Sequence, residues 1–442
     1  MSGHRLFGVQ QNPDEQELIS EARRDSPKYF TLTLTRSKTI YIPLPIANII
    51  LSILNVIAQV GMTEALSVYT TSLGTHQACG TSQEITGPYF VLFFTAFWFP
   101  IVFFACVLVA KLLNSSFSLR LSCSQKQVAL MGFLNALNGV LIVYSSPTDR
   151  TPLFLQPILS TSVIPFTVIL RFFVLRKGVS GGRLVCTFAV LVGLIICMEP
   201  SIFGLGENTG SSKNRTATKI YWPILFCIGF VPLGLINVLQ EKEVKTDDKR
   251  TSEDETVPDR QEVHTLLFQA WMQLYSFICL GALFWTAFIP HFGINSNWSD
   301  FSNHMKWGYD CHFGHGPIYN CTNSTSTPTT YYLDPGSDPN CQIPVGRCWI
   351  FVFFYCMANL ISLMLIKYAE GAVFLVIVNA LITPVGTFFN TLFQLKEDNG
   401  DFLWSPSVDV DFYYALAGIA IIVPAVLGYN YIGQRETRHT RH

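Results

Sequence analysis

The chain has 442 residues, half of them hydrophobic and only 13% charged, with 35 Phe. A soluble domain carries about 25% charged residues, so this composition excludes a water-solvated globule and calls for lipid as the solvent. The net charge of −1 leaves no basic surface of the kind nucleic acid demands.

In chain order, the first forty residues are polar and hold Asp14 four places before the pair Leu18 and Ile19. That segment, Asp14–Ile19, matches the acidic dileucine address that clathrin adaptors read, which sends proteins to lysosomes or vacuoles. The plainer reading is a disordered acidic tail. The apolar run that begins at Tyr41 is too long for a leader peptide and lacks a small-residue cleavage site after it, so it reads as a first spanning helix.

Ten stretches reach the roughly 20 apolar residues that a span needs: 41–66, 88–112, 127–146, 152–175, 183–199, 220–239, 265–289, 347–368, 371–394 and 412–433. Helices are expected there because each satisfies its own backbone in lipid. An even number puts both termini on one side. With the termini cytosolic, 22 of the 29 Lys and Arg fall inside and seven outside, the asymmetry that cytosolic loops show. The expected organisation is a cytosolic tail 1–40, a first five-helix half plus helix six over 41–239, a charged cytosolic linker 240–264, the remaining helices over 265–433 with a long luminal loop 290–346, and a cytosolic tail 434–442.

Four acceptor triplets for N-glycosylation, at Asn214, Asn297, Asn320 and Asn323, fall on the non-cytosolic side. In the long loop, Trp298, Phe301, Met305 and Trp307 recur at spacings near 3 and 4, which predicts a short helix lying at headgroup depth or, alternatively, packing on the helix ends. Cys311, Cys321, Cys341 and Cys348 lie in or beside the same loop. An even number on an oxidising side reads as two disulfides, with three possible pairings. Zinc, helped by His312 and His315, is the rival, but the Cys spacings do not fit finger patterns, so no metal or other cofactor is expected.

Inside the spans, polar atoms are costly and therefore informative. Asn48, Asn55 and Gln59 share one stripe of the first stretch, and Asn135 and Asn138 one face of the third. Gln156 and Ser160 lie in the fourth, Asn359 in the eighth, Asn379 and Thr383 in the ninth. Each alone could bond helix to helix; spread over so many spans, they are expected to line one cavity for a small-molecule substrate. Pro157 and Pro165 interrupt the fourth span and Pro384 the ninth, the corresponding helices of two five-helix halves. Interrupted helices at matching positions point to a transporter's central site. Glu64 and Glu199 are candidates for proton coupling. No nucleophile–base pair or phosphate loop is present, so an enzyme has no support.

Several short motifs resemble the chloroquine-resistance-transporter-like branch of the drug/metabolite transporter superfamily. They are Leu134-Asn135-Ala136 with Gln156 and, nine residues on, Pro165; Asn359-Leu360-Ile361; the ending Gly428-Tyr429-Asn430 then Gln434-Arg435-Glu436; and the four luminal Cys. The resemblance implies two inverted five-helix repeats around a central cavity, Cys311 paired with Cys348 and Cys321 with Cys341, and a lysosomal or vacuolar membrane. It further implies movement of amino acids or short peptides from an acidic lumen to the cytosol down a proton gradient. This chain departs from the family in its Ser/Thr/Pro-rich insertion from Thr322 to Pro339, in Asn135 where the family has an aspartate, and in an apolar residue near Val426 where it has a cation. Drug transport is therefore not carried over. Two other functions are open: a Golgi nucleotide-sugar or other metabolite antiporter, which would need buried cations, and a non-transporting receptor or scaffold using the glycosylated loop.

Overall fold

The computed structural model describes residues 29–442 apart from 36–37, 74, 79–80, 85–86, 114–118, 120, 122, 147–149, 152–154, 177, 204–220, 254–264, 291, 294, 315–318, 323–327, 332–343, 370, 396–401, 407–409 and 440–442. It forms two units, divided after Ile50. The first holds an antiparallel hairpin, β1 (Tyr29–Thr35) and β2 (Lys38–Pro43), with Phe30 opposite Ile42 and Leu32 opposite Ile40. The polar tail expected over 1–40 therefore ends in a strand pair. Its alternation of Thr with apolar residues has the period of two that strands need.

The second unit, from Leu51, is helical. Helix α1 (Leu44–Ser72) runs into it from the first. Then follow α2 (Pro88–Leu113), α3 (Gln125–Ser145), α4 (Leu155–Ser160), α5 (Val163–Leu175), α6 (Gly181–Phe203), α7 (Tyr221–Glu253), α8 (Thr265–Ala282), α9 (Trp298–His312), α10 (Pro344–Tyr368), α11 (Ala372–Asn379), α12 (Ile382–Leu392) and α13 (Val410–His439). Short hairpins, β3–β4 (Thr75–Ala78, Thr81–Glu84), β5–β6 (Tyr319–Thr322, Pro328–Tyr331) and β7–β8 (Phe393–Leu395, Phe402–Trp404), join helix ends.

Eight stretches among the described residues are long and apolar enough to cross a membrane, from Leu44–Thr70 to Phe412–Gly433. The chain is an all-α polytopic membrane protein. Two shorter apolar helices, Val163–Leu175 and Gly181–Cys197, occupy the stretches read as the fourth and fifth spans. Helix α2 shows why lipid is the solvent. Phe90, Phe99 and Phe103 are buried, while Phe97, Ile101, Leu108 and Val109 on its other side are exposed.

The two interrupted spans break alike. The chain turns at Thr161–Ser162 between α4 and α5, and at Ala380–Leu381 between α11 and α12. Pro165 and Pro384 are each the third residue of the helix that follows. In a first helical turn the missing N–H is no loss. The charged segment read as a linker from residue 240 is instead helical to Glu253. Its Lys and Glu are strong helix formers and prolong the helix past its apolar part.

Packing is closest where side chains are small. Helices α6 and α13 lie along each other. A Cβ on Gly193 would sit 2.7 Å from Ile422, and one on Gly418 would sit 3.0 Å from the Gly193 carbonyl. Small residues let backbones approach in the way lipid-embedded helices favour.

Candidate functional site

Helix α10 carries Tyr355, Asn359 and Ser362 at spacings of four and three, hence on one face. Two hydrogen-bonded groups meet that face. On one side Ser362 donates to Asn55 Oδ1 at 2.8 Å, Asn55 donates to Asn379 Oδ1 at 2.7 Å, and Gln59 donates to Ser362 Oγ at 3.3 Å. These join α1, α10 and α11. Asn379 is the last residue of α11, directly before the break.

On the other side Asn135 donates to Ser276 Oγ at 3.0 Å and reaches the Tyr355 hydroxyl at 3.5 Å. Gln273 donates to that hydroxyl at 3.4 Å, and Gln269 to the Asn359 carbonyl at 3.0 Å. Asn359 turns back to the Tyr355 carbonyl at 2.9 Å. The Tyr355 ring stacks on Phe99 at 3.7 Å. This group joins α3, α8 and α10 through uncharged polar side chains, with Gln269 Oε1 buried and unpartnered among them.

Of the residues chosen from sequence, the structure brings Asn55, Gln59 and Asn379 into the first group and Asn135 and Asn359 into the second. Asn138 stands apart and donates to the Gly229 carbonyl of α7 at 2.8 Å. Gln156 holds the Ser146 and Thr151 carbonyls at 2.6 and 3.0 Å, so it ties the α3–α4 connection. Ser160 ends α4 at the other break. The Thr383 carbonyl accepts from Thr387. Asn48 is buried on α1 within the first unit. Glu64 accepts from Asn390 at 3.2 Å. Ser362, Gln269 and Gln273 share the pattern that marked the others, whereas Tyr355 and Ser276 carried no signal, because a lone aromatic or hydroxyl in an apolar run reads as packing.

Arg171 and Glu241 form a buried ion pair, Nη2 to Oε1 at 2.9 Å. Arg183 pairs with Glu436 at 3.0 Å. The sequence placed Glu241 in a linker, and only the longer α7 reveals its position.

Helix α9 is capped by Asn297, whose side chain accepts from the Asp300 N–H at 2.8 Å. Phe301 and Met305 pack on the aromatic cluster of α1, α2 and α10, while Trp298 is exposed. The helix thus packs on helix ends and leaves only part of its aromatic face outward. His312 is buried, with Nδ1 3.2 Å from the Tyr69 hydroxyl and its ring 4.4 Å from Phe94. Burial pushes its pKa down to about 4. Burial likewise lowers His304, which contacts Asn295 Oδ1 at 2.6 Å. A hydrogen bond from Ser296 holds the Asp300 carboxyl below the usual range.

The Cys311–Cys348 bridge implied by the family resemblance is not formed. Cys348 is a buried free thiol that meets the Tyr69 hydroxyl. Cys311 is disulfide-bonded. Cys341, Asn214, Asn323 and Asp14–Ile19 lie outside the described residues, as do the side chains of Cys321, Asn320 and Pro157. No group of three His, Cys, Asp or Glu suited to a metal occurs among the described residues.

A bundle of apolar helices with two interrupted spans and amide side chains meeting in its interior defines a polytopic membrane protein. Residues 83–422 match the family described as CRT-like, chloroquine-resistance transporter-like, and the chain belongs to that family, part of the drug/metabolite transporter superfamily. It is 25% identical to Crt homolog 1 of Dictyostelium discoideum over 69% of this chain and 59% of that protein. It is 26% identical to Crt homolog 3 over 60% and 51%, and 25% identical to Crt homolog 2 over 70% and 58%, both from the same organism. The chain therefore spans little more than half the length of the curated relatives it matches.

Proposed function

We propose that the chain is a secondary transporter that moves small neutral or zwitterionic solutes, amino acids or short peptides, from the lumen of a lysosome or vacuole to the cytosol, with proton coupling. Ten spanning segments in two inverted five-helix repeats form the frame, with α4–α5 and α11–α12 as the equivalent broken spans. The observation that carries this reading is the polar face of α10. It gathers amides from α1, α3, α8 and α11 in the apolar bundle, and Asn379 adjoins a helix break. Cargo with amide, amine or carboxylate groups exchanges hydrogen bonds with these side chains as the helices rock.

Anionic cargo such as a nucleotide sugar calls for a cation held for it. Arg171 and Arg183, the cations within apolar helices α5 and α6, are both paired to carboxylates, which favours uncharged cargo. The Lys and Arg asymmetry supports cytosolic termini and a luminal α9.

Proteoliposomes holding the full-length protein, with an imposed pH gradient and a mixture of labelled amino acids and dipeptides, test the proposal. The expected result is uptake that collapses when the gradient is dissipated and falls about tenfold in Asn55→Ala, the loss of roughly 1.4 kcal/mol of cargo stabilisation. Absence of flux for every amino acid and peptide, or nucleotide-sugar exchange indifferent to pH, defeats it.

A further inference from the structure

At the end of α10 away from α9, three elements converge on one carboxylate. Arg171, near the end of α5, meets Glu241 of α7 fork to fork, with Nη2 2.9 Å from Oε1 and Nε 3.1 Å from Oε2. The two side chains are 8% and 1% exposed. The same carboxylate accepts from the Ala372 N–H, the first of α11, at 2.9 Å. The preceding residue, Gly371, has φ +96°, and a Cβ there would lie 2.5 Å from Glu241 Oε1. Only glycine fits this backbone and this approach.

We infer that Glu241 is the bolt of a gate at this end of the bundle, the cytosolic end if the transport reading above, on which the inference rests, is right. A single carboxylate ties the second half of one broken span, α5, to the first half of the other, α11. Apolar side chains of the same volume would hold these helices at least as well, because a buried ion pair must offset its own desolvation. Its distinctive property is that it has two stable conditions: closed and dry, or open with each charge hydrated. Interfaces that switch between discrete packings use such contacts. The breaks at Thr161–Ser162 and Ala380–Leu381 supply pivots in both helices that the bolt joins. Phe374, Val376 and Ile377 of α11 are buried, so release frees an apolar half-helix to move as a unit.

Glu241→Gln removes the charge that holds Arg171 but keeps an acceptor for Ala372. Gly371→Ala leaves both charges and forces the carboxylate aside, and it serves if the first variant fails to fold. Spin labels on unnatural amino acids, in the full-length protein in nanodiscs, report two distances: Gly178 to Lys367 at the bolt end, and Tyr309 to Tyr413 at the other. In either variant we expect a longer component at the bolt end, enriched about tenfold over the parent, together with a shorter one at the far end. Distances unchanged at both ends, or fraying at the bolt end with the far end unmoved, overturn the inference. The measurement needs no cargo, so its failure is separate from a failure of the flux assay.

Discussion

Tyr355 is the side chain on which the second polar group turns, since Asn135 and Gln273 both reach its hydroxyl. Tyr355→Phe keeps the stack on Phe99 and removes only the oxygen. Two interior amides then lose a partner, at about 1–2 kcal/mol together, and we expect the protein in detergent to lose monodispersity at a lower temperature. An unchanged melting curve would mean that those amides find other partners. His312 belongs to the same scale. Its pKa is lowered from 6.5 to about 4 by burial, so the folded state favours the neutral ring. The unfolded chain therefore binds more protons between those values, and stability falls as pH drops through that window. A melting-temperature profile from pH 7 to pH 4 should slope downward in the parent and flatten in His312→Gln. The sequence named Asn55, Asn135, Asn359 and Asn379 because amides in lipid stand out. It missed Tyr355 because an aromatic in an apolar run has no such contrast, and it missed Glu241 because charge alone ended the predicted helix at residue 239.

Proline gave away the two breaks. Pro165 and Pro384 each stand third in their helix, and both are visible in the bare sequence. The turns themselves, at Thr161–Ser162 and Ala380–Leu381, contain no helix breaker and were not visible. Helix α9 was read correctly as a short element with an aromatic stripe, but its spacing could not tell a bilayer from a helix end as the surface it covers. The pairing of α6 with α13 had no sequence signal beyond scattered glycines. Gly418→Val tests it. The new side chain would have to enter a gap where a Cβ alone lies 2.9 Å from Cys197 Cβ. Overpacking of this kind costs about 1–3 kcal/mol, and we expect a sharp fall in folded yield and in heat tolerance. Tolerance equal to the parent would show that the helices can part without loss.

At the scale of the molecule, composition alone required lipid, and the length of the apolar runs located the eight stretches among the described residues that are long enough to cross it. Which side of each helix faces lipid was not legible. Helix α2 is apolar all round, so Phe99 inside and Phe97 outside look the same in sequence. The proposed orientation has a direct check. Endoglycosidase should shift the apparent mass of protein made in cells, and Asn297→Gln should remove part of that shift. Full resistance of the parent to the enzyme would reverse or dismiss the assignment of sides. The glycine contact between α6 and α13 has a mechanical consequence. Two backbones this close, with Ile422 and Cys197 set against the glycines, cannot slide past one another by small steps. These helices behave as one plank, so flexing of the molecule falls to segments with hinges of their own.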